Sequence, residues 1–203
     1  PGTVSLSNVV SGDQVQTGSV TVNTTGNLSS GGKLKAGSYA GIQSVGSTLT
    51  GADAGNYTFG GLTGNYSVSQ LTLAGTAIAA SSSTYGSTVS PGAVSFTNVV
   101  SGDEVTASAS LVGTSLSTGG QIKAGSYRQQ VSAIGGTDSG NYSLSSSYTT
   151  PTATYTVSQL ALTGTLSAGS SVYGATLAPG TVSLSNVVSG DQVQTGSVTV
   201  NTT

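Results

Sequence analysis

The sequence contains no cysteine and no histidine, and only ten of its 203 residues are charged. Without these two residue types, a Ser-His-Asp or Cys-His nucleophile, the usual zinc sites, a haem held by His or Cys, and a disulfide are all excluded. Glycoside hydrolysis by carboxylates alone needs two acids about 5 to 10 Å apart, and no acidic pair recurs in the repeats described below. We therefore expect no enzyme activity, no catalytic residue, no cofactor and no metal site.

Basic residues are also scarce, and the net charge is −2. Lys33, Lys35, Lys123 and Arg128 are spread over the chain, whereas a phosphate-binding surface needs clustered Lys and Arg. No apolar run approaches the roughly 20 residues that cross a bilayer. We expect neither nucleic acid nor membrane insertion. The chain begins at Pro1 without a charged region leading into an apolar one, which indicates a fragment whose signal peptide is removed or never belonged to it.

Ser, Thr and Gly make up nearly half of the residues, yet 35% of the residues are hydrophobic and many alternate with small polar ones. The alternation is clear in Val4-Ser-Leu-Ser7, Val94-Ser-Phe-Thr97 and Tyr155-Thr-Val-Ser158. Because successive strand side chains point to opposite faces, this pattern predicts sheets with one face in a core. Glu occurs once and Met never, and the Gly and Ser density disfavours helix. The sequence predicts an all-β protein.

Internal repeats determine the organisation. The segment Pro1–Asp13 returns at Pro91–Asp103 and at Pro179–Asp191, at spacings of 90 and 88 residues. Residues 179–203 repeat residues 1–25 without one change, whereas the middle copy differs from both. Two slightly different modules therefore alternate, and the pair recurs every 178 residues, which indicates a piece of a longer array.

Turn signals set the predicted module boundaries. We place a complete repeat module at 71–159, a module lacking its first strand at 1–70, and the N-terminal half of a third module at 160–203. The predicted strands of the complete module are 71–79, 93–100, 104–112, 122–134, 140–147 and 153–159. Six or seven short strands at this spacing predict an antiparallel, Ig-like β-sandwich. The absence of a linker before Leu160 predicts modules stacked end to end into a rod. A β-solenoid is the alternative architecture, but no period of 20 to 30 residues is present.

Several motifs resemble a known class of repeat. They are Leu49-Thr-Gly-Ala-Asp-Ala-Gly-Asn-Tyr-Thr58, its counterpart Gly136-Thr-Asp-Ser-Gly-Asn-Tyr-Ser143, the Tyr-Gly pairs at 85 and 173, the Val-Val-Ser-Gly-Asp turns and the closing Tyr-Thr-Val-Ser strand. Over essentially the whole chain, the sequence is similar to the YDG and MBG (mostly beta and glycine) repeat families of large secreted bacterial adhesins, including filamentous-haemagglutinin-like proteins of two-partner secretion. Tyr85-Gly86 and Tyr173-Gly174 lack the Asp of Tyr-Asp-Gly. The resemblance implies a stalk or fibre segment at a bacterial surface.

The aspartates have a structural and a chemical interpretation. Asp13, Asp103 and Asp191 lie in Ser-Gly-Asp turns, where we expect the side chain to hydrogen-bond its own backbone. Asp53 and Asp138 precede Gly-Asn-Tyr and are interpreted in the same way. Calcium binding would need several converging carboxylates, and only Glu104 lies beside any of these aspartates.

Lys35 and Lys123 recur in Lys-Ala-Gly-Ser-Tyr, and they would pair with an aspartate or form a Lys-Asn or Lys-Asp isopeptide crosslink. Asn-X-Ser/Thr triplets occur at Asn23, Asn27, Asn56, Asn65, Asn141 and Asn201. Chance explains such triplets in this composition, and glycosylation is the alternative.

The recurring tyrosines are expected to pack in the core with their hydroxyls at the rim. These residues are Tyr39, Tyr57, Tyr66, Tyr127, Tyr142 and Tyr155. Two function classes remain open. The first is a structural stalk or filament at the extracellular bacterial cell surface, whose partners are neighbouring modules and, by edge pairing, other copies of the chain. The second is binding of exopolysaccharide or another glycan by the repeats themselves, which needs several exposed tyrosines on one face.

Overall fold

The computed structural model describes residues 2–202, and it confirms the predicted all-β fold. The strands are β1 (Gln16–Thr17), β2 (Thr21–Val22), β3 (Gly37–Val45), β4 (Leu49–Thr50), β5 (Leu62–Val68), β6 (Leu71–Thr72), β7 (Ala77–Ile78), β8 (Ser81–Thr84), β9 (Val94–Ser95), β10 (Thr106–Ala107), β11 (Ser110–Val112), β12 (Gly125–Val131), β13 (Ile134–Gly135), β14 (Tyr142–Ser143), β15 (Tyr148–Thr149), β16 (Tyr155–Ser158), β17 (Gly164–Leu166) and β18 (Val182–Leu184). Two 3-10 helices of three residues, Ala54–Asn56 and Ser139–Asn141, lie between them.

The strands are shorter than the sequence predicts. The predicted strand 71–79 is divided into β6 and β7, because Gly75 adopts φ of +61° between them and an extended strand does not accommodate that conformation. The predicted strand 140–147 begins instead with the 3-10 helix Ser139–Asn141. Strand β8 was not predicted, because its Ser-Ser-Ser-Thr sequence has no apolar alternation. It forms through pairing with β16 in register from Ser81–Tyr155 to Thr84–Ser158.

The chain divides into two compact units. The first contains the segment up to Thr76 together with Ser95–Ala107 and Ser132–Ser147. Its largest sheet has the order β2-β3-β5, in which β3 and β5 pair antiparallel with a register shift between Tyr39 and Gln43. Strands β1 and β4 form a second antiparallel pair, and β6 pairs with β14. The first unit therefore combines segments from both sides of residue 71.

The second unit contains Ala77–Val94, Ser108–Val131 and the segment from Tyr148 onwards. Its main sheet has the order β11-β12-β16-β8, with β15 also on β12, and β17 pairs with β18. Strand β7 pairs with β9, whose Val94 lies in this unit. Tyr127, Tyr155 and Val157 form its buried cluster. The half-buried side chains packed around this cluster are Tyr85, Val89, Leu111 and Ile122.

Strand direction departs from the predicted antiparallel arrangement in two places. Strand β8 pairs with β16 in parallel, and β6 pairs with β14 in parallel. Parallel pairing requires a crossover between the strands, and in both cases the intervening chain passes through other sheets. The residues of the predicted module 71–159 are shared between the two units, and its boundaries stay a prediction. No helix among residues 2–202 is long and apolar enough to cross a membrane.

Candidate functional site: a repeated carboxylate junction

Asp103 joins two successive repeats. Its backbone closes the predicted turn, with the Asp103 N–H donated to the Val100 carbonyl at 3.0 Å. The carboxylate points away from that turn: Oδ1 accepts the Gly31 N–H at 2.8 Å and Oδ2 accepts the Tyr142 hydroxyl at 2.6 Å. The expectation that this side chain bonds its own turn was therefore wrong. Gly31 and Asp103 are 72 residues apart, and they occupy neighbouring repeats.

Asp138 completes the same contact from the other side. Its side chain is only 1% exposed, Oδ1 accepts the Ser30 N–H at 3.2 Å, and Oδ2 accepts the Glu104 N–H at 2.9 Å. The side chain makes no capping bond to the 3-10 helix that follows it, so the turn interpretation was wrong here as well. Two successive N–H groups of one turn thus each donate to a different carboxylate. We call the set Ser30, Gly31, Asp103, Asp138 and Tyr142 the carboxylate junction.

Glycine is required where the two turns of the junction meet. A Cβ atom on Gly31 would lie 2.6 Å from Asp103 Oδ1 and 2.6 Å from the Ser101 carbonyl oxygen. On the opposite side, Gly102 has φ of +90°, and a Cβ there would lie 3.0 Å from the Gly31 Cα. The two backbones therefore approach more closely than any side chain permits.

Hydrogen bonds to the charged form stabilise both carboxylates. The Tyr142 hydroxyl is the largest cause lowering the pKa of Asp103, and the Ser29 hydroxyl and the Gly31 N–H also lower it. The pKa of Asp138 is lowered first by the Glu104 N–H, then by the Ser30 hydroxyl, with a smaller contribution from the charge of Lys35. Burial and the bond to Asp103 raise the pKa of Tyr142. The surrounding N–H and O–H groups thus form an anion-binding site, and the protein's own carboxylates occupy it.

The donors around these carboxylates are N–H and O–H groups, which suit an anion and leave few oxygen lone pairs for a cation. Within the part of the chain that the structure describes, no group of three or more Asp, Glu, His or Cys side chains could hold a metal ion. The hydrogen bonds described for the two carboxylates all come from groups of the protein itself.

The second unit contains the same contact 88 residues later. Asp191 Oδ1 accepts the Gly119 N–H at 2.9 Å, again across 72 residues. Its Oδ2 accepts the hydroxyl of Tyr85, which is the largest cause lowering the pKa of Asp191. A Cβ on Gly119 would lie 2.5 Å from the Ser189 carbonyl oxygen. The glycine-to-aspartate contact therefore recurs with the sequence period.

Some contacts of the carboxylate junction join residues of one and the same repeat, and these contacts also occur in the first repeat. The Tyr57 hydroxyl donates to Asp13 Oδ2 at 2.6 Å and accepts the Val10 N–H at 2.9 Å. Asp53 Oδ2 accepts the Gln14 N–H at 2.8 Å, as Asp138 accepts the Glu104 N–H. Asp13 and Asp53 thus correspond to Asp103 and Asp138.

The Gly-Asn-Tyr motif supplies further contacts between repeats. Asn141 Oδ1 accepts the Ala36 N–H at 2.9 Å, and Gln70 Nε2 donates to the Gly140 carbonyl at 3.0 Å. Beside them, Tyr142 is aligned with Leu71 in the parallel β6–β14 pair. The Gly-Asn-Tyr motif at residues 140–142 therefore lies at the contact with the preceding repeat. Glycosylation of the Asn-X-Ser/Thr triplets and crosslinking of Lys35 or Lys123 stay predictions.

The predicted burial of the recurring tyrosines is confirmed for some of them. Tyr127, Tyr142 and Tyr155 are buried, and Tyr39, Tyr57 and Tyr66 are half-buried. Besides those of Tyr57 and Tyr142, three of these hydroxyls bond within the protein. Tyr39 and Tyr127 donate to the Lys35 and Lys123 carbonyls at 2.8 and 2.6 Å, and Tyr155 accepts the Ser90 N–H at 3.1 Å. These hydroxyls act as internal hydrogen-bonding groups.

Sequence reasoning missed Gln129, which is fully buried. Its Oε1 accepts the Gly92 N–H at 2.7 Å, and its Nε2 donates to the Ala79 carbonyl and to Thr154 Oγ1, each at 2.9 Å. Gln43 has the same role in the first repeat, where it accepts the Gly2 N–H at 2.7 Å and donates to the Asn65 carbonyl at 2.5 Å. The 88-residue offset would match Gln129 to Gly41, so the irregularity between Tyr39 and Gln43 conceals this correspondence.

Comparison of the chain with known protein families, with curated proteins and with solved structures found no match. The recurring contacts are therefore the basis on which a function is inferred.

Proposed function

We propose that this chain is a structural repeat segment, a stalk or filament, of a bacterial cell-surface adhesin. In this proposal its modules are β-sandwiches stacked end to end, and they hold a distal adhesive region away from the cell. The observation that carries the proposal is the recurrence of one inter-repeat contact, Gly31–Asp103 and Gly119–Asp191, at the same separation of 72 residues. A contact that recurs with the sequence period is what a regular array needs.

The connection between the first two repeats is short, which supports a stiff array. Only Ser69 and Gln70 separate β5 from β6, and the Gln70 side chain is itself hydrogen-bonded to the Gly140 carbonyl. A flexible linker has many residues free of tertiary contacts, and this connection is short and bonded. Bending between the repeats would also break the hydrogen bonds that the Asp103 and Asp138 carboxylates accept from Gly31 and Ser30. A hydrogen bond to a charged group is worth about 1.5 to 3 kcal/mol.

The location at the extracellular bacterial surface rests on the sequence. The resemblance to YDG and MBG repeats supports a secreted adhesin, and the surface rich in Ser and Thr gives solubility with few charges. The glycan-binding alternative needs tyrosines exposed together. Because the hydroxyls of Tyr57, Tyr85 and Tyr142 bond to aspartates of the protein itself, we prefer the structural function.

The test is to measure length against repeat number. Three polypeptides are compared by small-angle scattering and negative-stain microscopy. They contain one, two or three copies of residues 1–178, followed in each case by residues 179–203. We expect the length to increase by a constant increment for each added unit. Gly31→Ala and Gly119→Ala together should make the particles bend more, with Gly18→Ala as the control, since no atom lies within 4 Å of a Cβ at Gly18. Compact particles would contradict the proposal, and retention of the single chain on a polysaccharide column would favour glycan binding.

A further inference from the structure

Strands β8 and β16 lie side by side although they are far apart in the sequence. They belong to the main sheet of the second unit, together with β11, β12 and β15. Among these strands β8 comes first in the chain and β16 comes last. The pair is parallel and in register from Ser81–Tyr155 to Thr84–Ser158. The first and the last strand of the sheet therefore run in the same direction.

This direction determines how the pair responds to tension along the chain. A pull from the N-terminal side acts on β8 at Ser81, and a pull from the C-terminal side acts on β16 at Ser158. Because the strands are parallel, these two residues lie at opposite ends of the pair. Tension therefore slides one strand along the other, and the hydrogen bonds between them carry the load together. In an antiparallel pair the two loaded residues would lie side by side, and the bonds would break one at a time.

Backbone hydrogen bonds fasten β8 at both of its ends. The Ser81 N–H donates to the Thr154 carbonyl at 3.0 Å, and the Tyr85 N–H donates to the Ser158 carbonyl at 2.8 Å. Successive N–H groups of a strand point to opposite edges, so the Ser83 N–H also faces β16 and the Ser82 N–H faces away from it. The pair is thus bonded along its whole length.

Strand β16 is held firmly on its other side and on its inner face. It pairs antiparallel with β12, so it lies inside the sheet, whereas β8 lies at the edge. Tyr155 and Val157 are 0% and 3% exposed, and Tyr85, which follows β8, packs against the same cluster. These side chains keep water from one face of the pair, and water is what would replace a broken backbone bond. Strand β16 is therefore a fixed support for β8.

The first unit contains a second parallel pair with the same sense. Strand β6 precedes β14 in the chain, and Leu71 and Thr72 are aligned with Tyr142 and Ser143. Tension that enters at Leu71 would again slide one strand along the other. This pair has two aligned residues where β8 and β16 have four, so the β8–β16 pair is the more resistant one.

We propose that the β8–β16 pair is a mechanical clamp, which carries tension along the chain and keeps the second unit folded under load. The load would be a pull between the cell surface and a distal region that is attached elsewhere. The inference rests on the proposed function in one respect, because it assumes that the chain is held at both ends. It adds a function to the stalk: a spacer needs only stiffness, whereas a tether must also resist unfolding by force.

The experiment changes the direction of the pull and leaves the clamp unaltered. The full chain has no cysteine of its own, so handles for optical tweezers can be attached at introduced cysteines. Ala80→Cys with Gln159→Cys loads the start of β8 and the end of β16, which slides the strands. Ser87→Cys with Gln159→Cys loads the ends of both strands on the same side, which peels them apart. All three positions are exposed.

We expect the Ala80/Gln159 attachment to need a several-fold higher unfolding force than the Ser87/Gln159 attachment. Forced unfolding depends on the barrier to unfolding, and the two attachments cross that barrier along different directions in a chain of nearly the same sequence. A difference in thermodynamic stability therefore does not account for a difference in force, and urea unfolding of both variants without handles checks that their stabilities agree.

A pair of proline variants tests the hydrogen bonds of the clamp. Ser83→Pro removes an N–H that faces β16, and it should lower the force for the Ala80/Gln159 attachment to near that for the Ser87/Gln159 attachment. Ser82→Pro is the matched control, because its N–H faces the free edge, where proline is tolerated. It should leave most of the force in place. The comparison of attachments does not depend on the folding of either proline variant.

The clamp is overturned if the two attachments unfold at the same force, or if Ser82→Pro and Ser83→Pro lower the force equally. Equal forces together with a constant length increment per added unit would mean that the clamp fails and the stalk function stands. A higher force for the Ala80/Gln159 attachment together with compact concatenated polypeptides would mean that the clamp stands and the stalk function fails.

Discussion

Asp103 accepts the Gly31 N–H at 2.8 Å, and 88 residues later Asp191 accepts the Gly119 N–H at 2.9 Å. In both places the acceptor lies one repeat after the donor. The short turns that provide these groups contain glycines with no room for a Cβ atom. The carboxylate junction is therefore built from residues that serve contact between repeats, and the first predictions test it.

Gly31→Ala should destabilise the first unit by about 1 to 3 kcal/mol, the usual cost of forcing extra atoms into a packed contact. The new Cβ would lie 2.6 Å from Asp103 Oδ1 and from a backbone carbonyl, so the two turns must separate. Urea unfolding followed by circular dichroism measures the change in the free energy of unfolding. Gly18→Ala is the control, because its Cβ meets no atom within 4 Å. Equal effects of the two substitutions would contradict close packing at the junction.

Stability should fall in acid. The pKa values of Asp103, Asp138 and Asp191 are lower in the folded protein than in the unfolded chain. Such groups stabilise the fold above the unfolded pKa of 3.8 and lose that stabilisation as the pH falls through their folded values. We expect a plateau near neutral pH and a decrease below about pH 4. Urea titrations at several pH values measure this, and Asp103→Asn with Asp138→Asn should flatten the acid slope.

Stability should also fall in alkali. Hydrogen bonds to aspartates raise the pKa of Tyr57 and Tyr85, and burial followed by the bond to Asp103 raises that of Tyr142. A group with a raised folded pKa stabilises the fold below its unfolded value of 10.0 and loses that contribution as the pH rises through the folded value. Absorbance at the tyrosinate band should show that these tyrosines titrate late, and Tyr142→Phe should reduce the number of late-titrating groups by one. Titration of all tyrosines at the unfolded value would contradict the aspartate bonds.

Tyr142→Phe should cost about 1.5 to 3 kcal/mol, because it removes a hydrogen bond to a charged group and leaves Asp103 with one fewer donor. Tyr57→Phe removes the corresponding bond to Asp13. The Tyr57 side chain is half-buried, however, whereas that of Tyr142 is only 2% exposed. Water can replace the lost donor at Asp13, so the smaller loss is expected there. Calorimetry of both variants measures the difference, and a larger loss for Tyr57→Phe would refute the ranking.

The fold class and the turn at Asp103 were predictable from the sequence, because alternation and Ser-Gly-Asp signals are local. The role of the Asp103 carboxylate was not predictable, since its partner Gly31 lies 72 residues away. Strand β8 was missed for a related reason: its serines have no pattern, and only β16 makes them a strand. A local sequence pattern does not identify a partner residue or strand that lies far away in the sequence.

The correspondence of Gln43 and Gln129 gives the last prediction. Both accept a glycine N–H at 2.7 Å, but Gln129 is fully buried and its bonds are part-buried, whereas the bonds of Gln43 are exposed. Gln129→Ala leaves the Gly92 N–H and the Ala79 carbonyl without their partner, at a cost of about 2 to 4 kcal/mol. Gln43→Ala exposes its partners to water and should cost less than about 1 kcal/mol. Urea unfolding of both, with Gln130→Ala as a control on β12, measures the difference. Equal losses for Gln43→Ala and Gln129→Ala would show that burial does not set the cost.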